Sequence, residues 1–551
     1  MVLIKNLPDR LPIFRLSTPR TGIQKLCNIA GALFGTEEFK IRENGTRIVL
    51  ESGEKVVETN LKSGGIWAAD TKQLWQVESR PELPDDESAR KIAVNLCREH
   101  DLLPNLRGNK TINMEFSGIG RTMVAVREDR RHRQDHQIDT QVNFSARIDV
   151  GGNQVPVVGG GSEFKLTLGD RGNVIGFSGV WRDVEDADID AAIISPDESL
   201  KQFEMMTKDV QVVDVETELA YYSAPMRQQQ DFMYPVYVYR ATIKVNAEII
   251  PMRIVTLPAT NFRGAEKLRE IQPERQRILE AIVPPKKAVV LDTTDLLKAM
   301  PKIHPATFLW PLQREAGTSW IGLSGGLSGS QNNAKGFIDG LNNAGWKINF
   351  NWGDANAWES DWHRKDDTWV DACDFVFYTG HANMNGWTLA SPDDGSLNFT
   401  ETGSNPETPG DMWGQQDLEW MVIAACGPLQ DDLIGNGGGD VLDRWGGAFD
   451  GMHLMMGYGG ITYDNEEEGE TIIEYARDGD SLINAWFRTA REIQPSSNGA
   501  AAPNGPNIYV GAMYCYRAGD ASPGNDHLWG HGSVAPDPAN SNVRVCMWTT
   551  T

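Results

Sequence analysis

The chain has 551 residues, 40% of them hydrophobic and 23% charged, the balance of a globular protein with ample length for several domains and large cores. Its six cysteines form no CxxC pair and no framework spacing, which argues against a disulfide scaffold and a structural zinc site, and no run of 18 apolar residues offers a transmembrane helix. Of the net charge of −24, residues 301–551 hold 12 Lys and Arg against 33 Asp and Glu, a net of −21, which leaves 40 against 43 and a net of −3 for residues 1–300; an acidic half disfavours nucleic acid and anionic membranes and suits cationic substrates or bound calcium.

The start, Met1-Val2-Leu3-Ile4-Lys5, lacks a long apolar segment and a cleavage site. This favours a cytoplasmic location and leaves secretion open. Residues 1–80 alternate short strand-like runs with turns, among them Arg47-Ile48-Val49-Leu50 and Gly65-Ile66-Trp67-Ala68. Acidic residues just after Pro84 mark a helix start, and Ile92, Ala93, Leu96 and Cys97 follow at helical spacing. A similar start recurs at Ser195-Pro196-Asp197-Glu198, where Ser195 suits the N-cap and Pro196 the first helical position. Alternating strands follow each helix. The first set includes residues 141–148, 164–168 and 174–177, and the second includes 234–239 and 249–257. The expected organisation is α+β, a helix plus antiparallel sheet in residues 1–190 and a second such module in 191–260, with duplication of the module. This half resembles the PepSY-type propeptide domains of secreted peptidases, through a Val155-Pro156-Val157-Val158-Gly159 turn and Val174-Ile175-Gly176-Phe177-Ser178-Gly179-Val180-Trp181.

Residues 261–306 read as a basic linker with a charged helix over 265–283 and Pro284-Pro285-Lys286-Lys287. From Thr318 onward the pattern becomes α/β. A strand at Trp320, a helix over 331–344 with Phe337, Ile338 and Leu341 on one face, and a strand over 346–350 predict a mainly parallel sheet in a domain spanning 307–551. Two further apolar runs end on reactive side chains: Asp374-Phe375-Val376-Phe377-Tyr378-Thr379-Gly380-His381 and Trp420-Met421-Val422-Ile423-Ala424-Ala425-Cys426-Gly427. Both read as buried strands, and ligands of α/β sheets bind beyond the carboxyl ends of such strands. A thiol with an imidazole in reach is the minimum equipment for thiolate catalysis.

The two runs resemble the caspase-like cysteine peptidases, the group that includes caspases, legumain, gingipain and clostripain. There, one apolar block ends in His-Gly and a later one in Ala-Cys, and the likeness extends over roughly residues 317–460. The resemblance implies a peptidase that cleaves a polypeptide substrate through a thioester, with Cys426 as nucleophile and His381 as general base and acid. It also implies an oxyanion hole formed by the backbone N–H groups of Cys426 and Ala382. Ala382 stands where the family has Gly, and Ala restricts φ more. No cofactor is required, and processing within the linker itself is an attractive consequence. If the N-terminal half acts as a propeptide does, it docks near the His381–Cys426 edge.

Two other readings compete. The same dyad serves a transpeptidase or ligase that passes the acyl group to an amine. Alternatively the chain is a non-catalytic carbohydrate- or calcium-binding protein, since 14 of its 17 tryptophans lie beyond residue 300 and could line a sugar cleft beside acidic residues. The acidic groups Asp431-Asp432, Asp440, Asp443 and 464–470 match no EF-hand loop and read as a solvated face. Among other reactive residues, His531 and His453 rank below His381, and Cys373 and Cys515 read as core.

Overall fold

A computed structural model describes residues 9–17, 21–35, 38–103, 112–128, 132–184, 189–262, 314–390, 394–403, 411–500, 506–538 and 541–551. The linker expected at 261–306, with its helix, lies outside these residues except for its first two positions. The described residues are mostly β, with seven α-helices. None of those helices is long and apolar enough to cross a membrane.

In the C-terminal half, Lys347–Gly353, Glu315–Trp320, Phe375–Thr379, Trp420–Ala424 and Leu454–Tyr458 lie side by side in parallel. Antiparallel Tyr509–Tyr516 and Val543–Thr550 follow. All five residues of both Phe375–Thr379 and Trp420–Ala424 are buried, as a parallel sheet covered on both faces requires. Successive side chains point to opposite faces. Phe375, Phe377, Val422 and Ala424 therefore pack against the helices Ser330–Asn342, Glu468–Asp478 and Leu482–Ile493 through Phe337, Leu341, Ile472 and Trp486. Val376, Tyr378, Met421 and Ile423 face the other way, into a layer built from Trp362, Trp387, Trp413 and Trp445. These tryptophans are fully buried; Trp387, Trp413 and Trp445 stack at 5.5–6.2 Å, and Trp362 meets Trp387 edge-on at 5.1 Å. They fill a core, so these four line no sugar cleft.

The sheet does not end with the C-terminal strand. Val543–Thr550 pairs with Ile112–Arg127, the first arm of a long hairpin completed by Arg133–Val150. Pairing continues through Glu163–Leu168, Val174–Gly179, Ile66–Asp70, Lys55–Asn60, Arg47–Ser52 and Lys40–Asn44. The two halves thus share one hydrogen-bonded sheet. The helix Asp86–Glu99 starts where expected, with the Asp85 side chain accepting from Ser88 N. The Val155–Gly159 stretch is not a turn: Asn153–Val158 is a strand, and only Gly159 turns, at φ 93°.

Pro196–Met206 is the second expected helix, capped by Ser195. It leads into the hairpin Gln211–Tyr222 and Phe232–Val245, and Phe203 stacks on Tyr239 at 4.5 Å. Each of these two helices therefore precedes an antiparallel hairpin. After the second, the chain forms Glu248–Pro251, breaks at Met252 and Arg253, and resumes as Val255–Pro258. That break faces the carboxyl edge of the parallel sheet.

Candidate active site

Phe375–Thr379 and Trp420–Ala424 are neighbours, with Thr379 opposite Ala424. Each chain runs two residues further, to His381 and to Cys426, so matching register carries both to the same edge. Gly427 follows Cys426 at φ 80°, a conformation that favours glycine; a Cβ there would come within 2.6 Å of the Gln430 side chain.

Both reactive residues are buried, His381 at 1% exposure and Cys426 at 0%. His381 Nε2 lies 2.7 Å from Gly325 O, and Arg253 N donates to Nδ1 at 3.4 Å. A carbonyl only accepts, so Nε2 carries the proton and Nδ1 holds the lone pair. Burial pushes the His381 pKa down to about 4, and the neighbouring Arg253 charge adds to the fall, while the bond to Gly325 opposes it. The Cys426 sulfur is approached by Thr462 N at 3.4 Å and Thr462 Oγ1 at 3.7 Å. Burial raises the thiol pKa, against a lowering influence of Arg253. No hydrogen bond joins His381 to Cys426.

Between them comes Arg253, which is wholly buried and belongs to the N-terminal half. Its Nη1 donates to Thr379 Oγ1 at 3.0 Å and Ala424 O at 2.8 Å, and its Nη2 to Tyr463 O at 2.7 Å and the Glu468 carboxylate at 3.3 Å. Glu468 also accepts from Tyr458 Oη, Asn333 Nδ2 and Gln494 Nε2 at 2.6–2.9 Å. The backbone around Arg253 is tied down as well. Ile254 N donates to Thr462 O, and Asp464 N to Ile254 O, both at 2.8 Å, in a bridge parallel to Tyr463. Residues 251–254, a strand interrupted at Met252 and Arg253, therefore cross the edge that carries His381 and Cys426. A surface cavity of about 190 Å³ flanks this strand on its outer side, lined by Met252, Ile254, Ile461, Asp214, Glu216 and Arg240.

Ala382 opens a small hairpin and pairs with Trp387. Thr388 N donates to His381 O at 2.9 Å, which makes Ala382–Trp387 a non-hydrogen-bonded pair and leaves the Ala382 N–H outside the ladder. Ala382 has no positive φ, so its backbone makes no demand for glycine.

The remaining reactive residues lie elsewhere. His453 precedes its strand, at the amino end of the sheet, with Nδ1 2.5 Å from Asp526. His531 is exposed, and Cys373 and Cys515 are core. The acidic groups are a solvated face only in part: Asp432, Asp443, Glu466 and Glu470 are exposed, but Asp431 and Glu468 are buried. Asp431 is wholly buried and bound by both Nη atoms of Arg133 at 2.7 and 2.9 Å, and Asp440 and Asp443 pair with Arg127. Acidic C-terminal residues thus hold arginines of the N-terminal hairpin. Side chains close enough to share a cation gather at Glu359–His363–Glu401, Glu315–Asp374–Asp417 and Asp366–Asp367–Asp371, none of them at the Cys426 edge.

Sequence reasoning missed Arg253, Glu468 and Thr462. A signal existed for the first: Arg253 is the one charge in the apolar run Ile249-Ile250-Pro251-Met252-Arg253-Ile254-Val255.

The C-terminal half is thus an α/β domain with a mixed sheet and a buried cysteine, histidine and arginine at its carboxyl edge. Its residues 316–551 match the family described as "Domain of unknown function (DUF6345)". That match takes in His381, Cys426 and Glu468 and stops short of Arg253. No curated protein matches the chain. Among solved structures, the chain is similar to an uncharacterized protein from Eubacterium rectale ATCC 33656 at 12% identity, over 46% of this chain and 85% of that one, with a TM-score of 0.27.

Proposed function

We propose that the protein is a caspase-like cysteine peptidase in which Cys426 and His381 cleave peptide bonds through a thioester. The observation that carries this reading is the shared register of the two strands, which delivers a thiol and an imidazole to one sheet edge beside an extended backbone segment. In the reaction, the thiol proton passes to His381 Nδ1 and the sulfur attacks the substrate carbonyl. The resulting oxyanion takes hydrogen bonds from the N–H groups of Ala382 and Cys426. The carbon–nitrogen bond breaks as His381 returns the proton to the leaving amine. Water, deprotonated by His381, then hydrolyses the thioester and restores the thiol.

With residues 251–254 in place, the dyad is neutral and shielded from water. Burial keeps the proton on sulfur and off the imidazole, so the arrangement is dormant. Moving that strand admits water and substrate together. The PepSY-like resemblance of the N-terminal half fits a segment that restrains the enzyme. The test is hydrolysis of peptide amides by an Arg253→Ala protein, compared with the same protein carrying Cys426→Ala or His381→Ala. Either second change should abolish turnover, since residues acting as a unit lose activity together. Unchanged turnover in both would refute the peptidase reading, and a peptide product joined to an added amine would favour the ligase.

A further inference from the structure

We infer that the cradle around the Arg253 guanidinium is the pocket for the substrate side chain, so that the enzyme acts on arginine and Arg253 is an internal mimic of its substrate. This rests on the peptidase reading of Cys426 and His381. Every acceptor in the cradle comes from the C-terminal half: Thr379 Oγ1, Ala424 O, Tyr463 O and the Glu468 carboxylate. The occupant comes from the N-terminal half. One domain therefore holds a complete guanidinium site, and another domain fills it.

The cradle is selective by its chemistry. Two backbone carbonyls, a hydroxyl and a carboxylate provide a fan of acceptors that matches the planar fork of arginine. An acidic side chain would be repelled by Glu468, and an apolar one would strand those acceptors without partners. Glu468 is itself preset by three donors and needs no rearrangement to receive a cation. Thr379 and Ala424 lie two residues before His381 and Cys426, so a guanidinium held there places its own backbone at the dyad.

Ile254, the residue after Arg253, is bound as a substrate strand would be, by main-chain bonds to Thr462 and Asp464. It is nevertheless poorly placed for cleavage. The Arg253 N–H faces His381 Nδ1, while the N–H of Ile254, the amine that would leave, is engaged by Thr462 O. A leaving amine turned away from the acid cannot be protonated, so Arg253 in this arrangement occupies the cradle without offering a cleavable bond.

The experiment uses the full-length protein and reads Cys426 alkylation by iodoacetamide, located by mass spectrometry. It is followed with and without benzamidine, whose planar amidinium stands in for the guanidinium. Wild type should react slowly, and Arg253→Ala at least tenfold faster. Benzamidine should slow the variant severalfold and leave wild type unaffected. Adding Glu468→Gln to Arg253→Ala should remove that protection. Arg253→Lys, which keeps a cation, serves if Arg253→Ala fails to fold, and should give intermediate reactivity. Equal alkylation rates in wild type and variant would overturn the mimic, and fast alkylation that benzamidine does not slow would overturn the arginine pocket. Neither readout requires hydrolysis. A benzamidine-protected Cys426 in a protein that cleaves nothing would contradict the peptidase reading and uphold the pocket.

Discussion

At the scale of single residues, two buried histidines titrate in opposite senses. His381 is held neutral by burial, its pKa lowered from an ordinary 6.5 to about 4. The unfolded chain therefore binds a proton there before the folded chain does, and stability is lost as pH falls from about 6.5 toward 4. The loss is on the order of 3 kcal/mol. The denaturation midpoint of wild type relative to His381→Asn should drop across this range, and a pH-independent difference would contradict the assignment. His453 is also buried, and burial alone would lower its pKa. Its bond to Asp526 and the nearby Asp537 overcome that and raise it. Its stabilising contribution is complete below the unfolded pKa and disappears as pH rises through the folded one. Relative to His453→Gln, wild type should lose its advantage as pH rises past the ordinary histidine range, and an advantage growing with pH would contradict the ion pair.

At the scale of elements, the sequence announces strands and helices well where apolar spacing is clean. Phe337, Ile338 and Leu341 do line the buried face of Ser330–Asn342, and the runs ending at His381 and Cys426 are adjacent buried strands. Sequence patterns do not say which strand lies beside which. The pairing of Val543–Thr550 with Ile112–Arg127 spans most of the chain and has no local signature. For the same reason the lone charge of Arg253 in its apolar run does not reveal a site: its partners at 379, 424, 463 and 468 lie far along the chain. Asp431 and Glu468 depart from the solvated face of their neighbours because a charge count does not reveal a partner far away in sequence.

Residues 314–551 expressed alone would bare the edge of Val543–Thr550 and the arginine-stripped Asp431, and should be recovered as aggregate. A soluble monomer would contradict the shared sheet. Arg133→Ala should cost about 3 kcal/mol, because it leaves a carboxylate buried without its cation. A change under about 0.5 kcal/mol in urea denaturation would show the pair to be dispensable.

At the scale of the whole molecule, the charge imbalance becomes a statement about pH. Burial holds Asp366, Asp371, Asp374 and Glu467 up to about 7, with Asp464 up to about 6. Carboxyls with raised folded pKa values stabilise fully below their unfolded pKa and cease to as pH rises through the folded value. They outnumber His381, which acts the other way. In the presence of a chelator, the thermal midpoint should therefore climb as pH is lowered from 8 to about 5.5. A steady fall over that interval would contradict these environments.

The shared sheet, the arginine–carboxylate contacts and the Arg253 strand join the two halves, with His381 and Cys426 buried at the edge they share. The most direct measurement treats full-length Arg253→Ala with a peptidyl-arginine acyloxymethyl ketone, whose leaving group departs on attack by an activated thiolate. Mass spectrometry should find a single thioether adduct on Cys426, absent when His381→Ala is added. A protein whose Cys426 is alkylated by iodoacetamide yet takes no adduct from the ketone would contradict a Cys426–His381 peptidase.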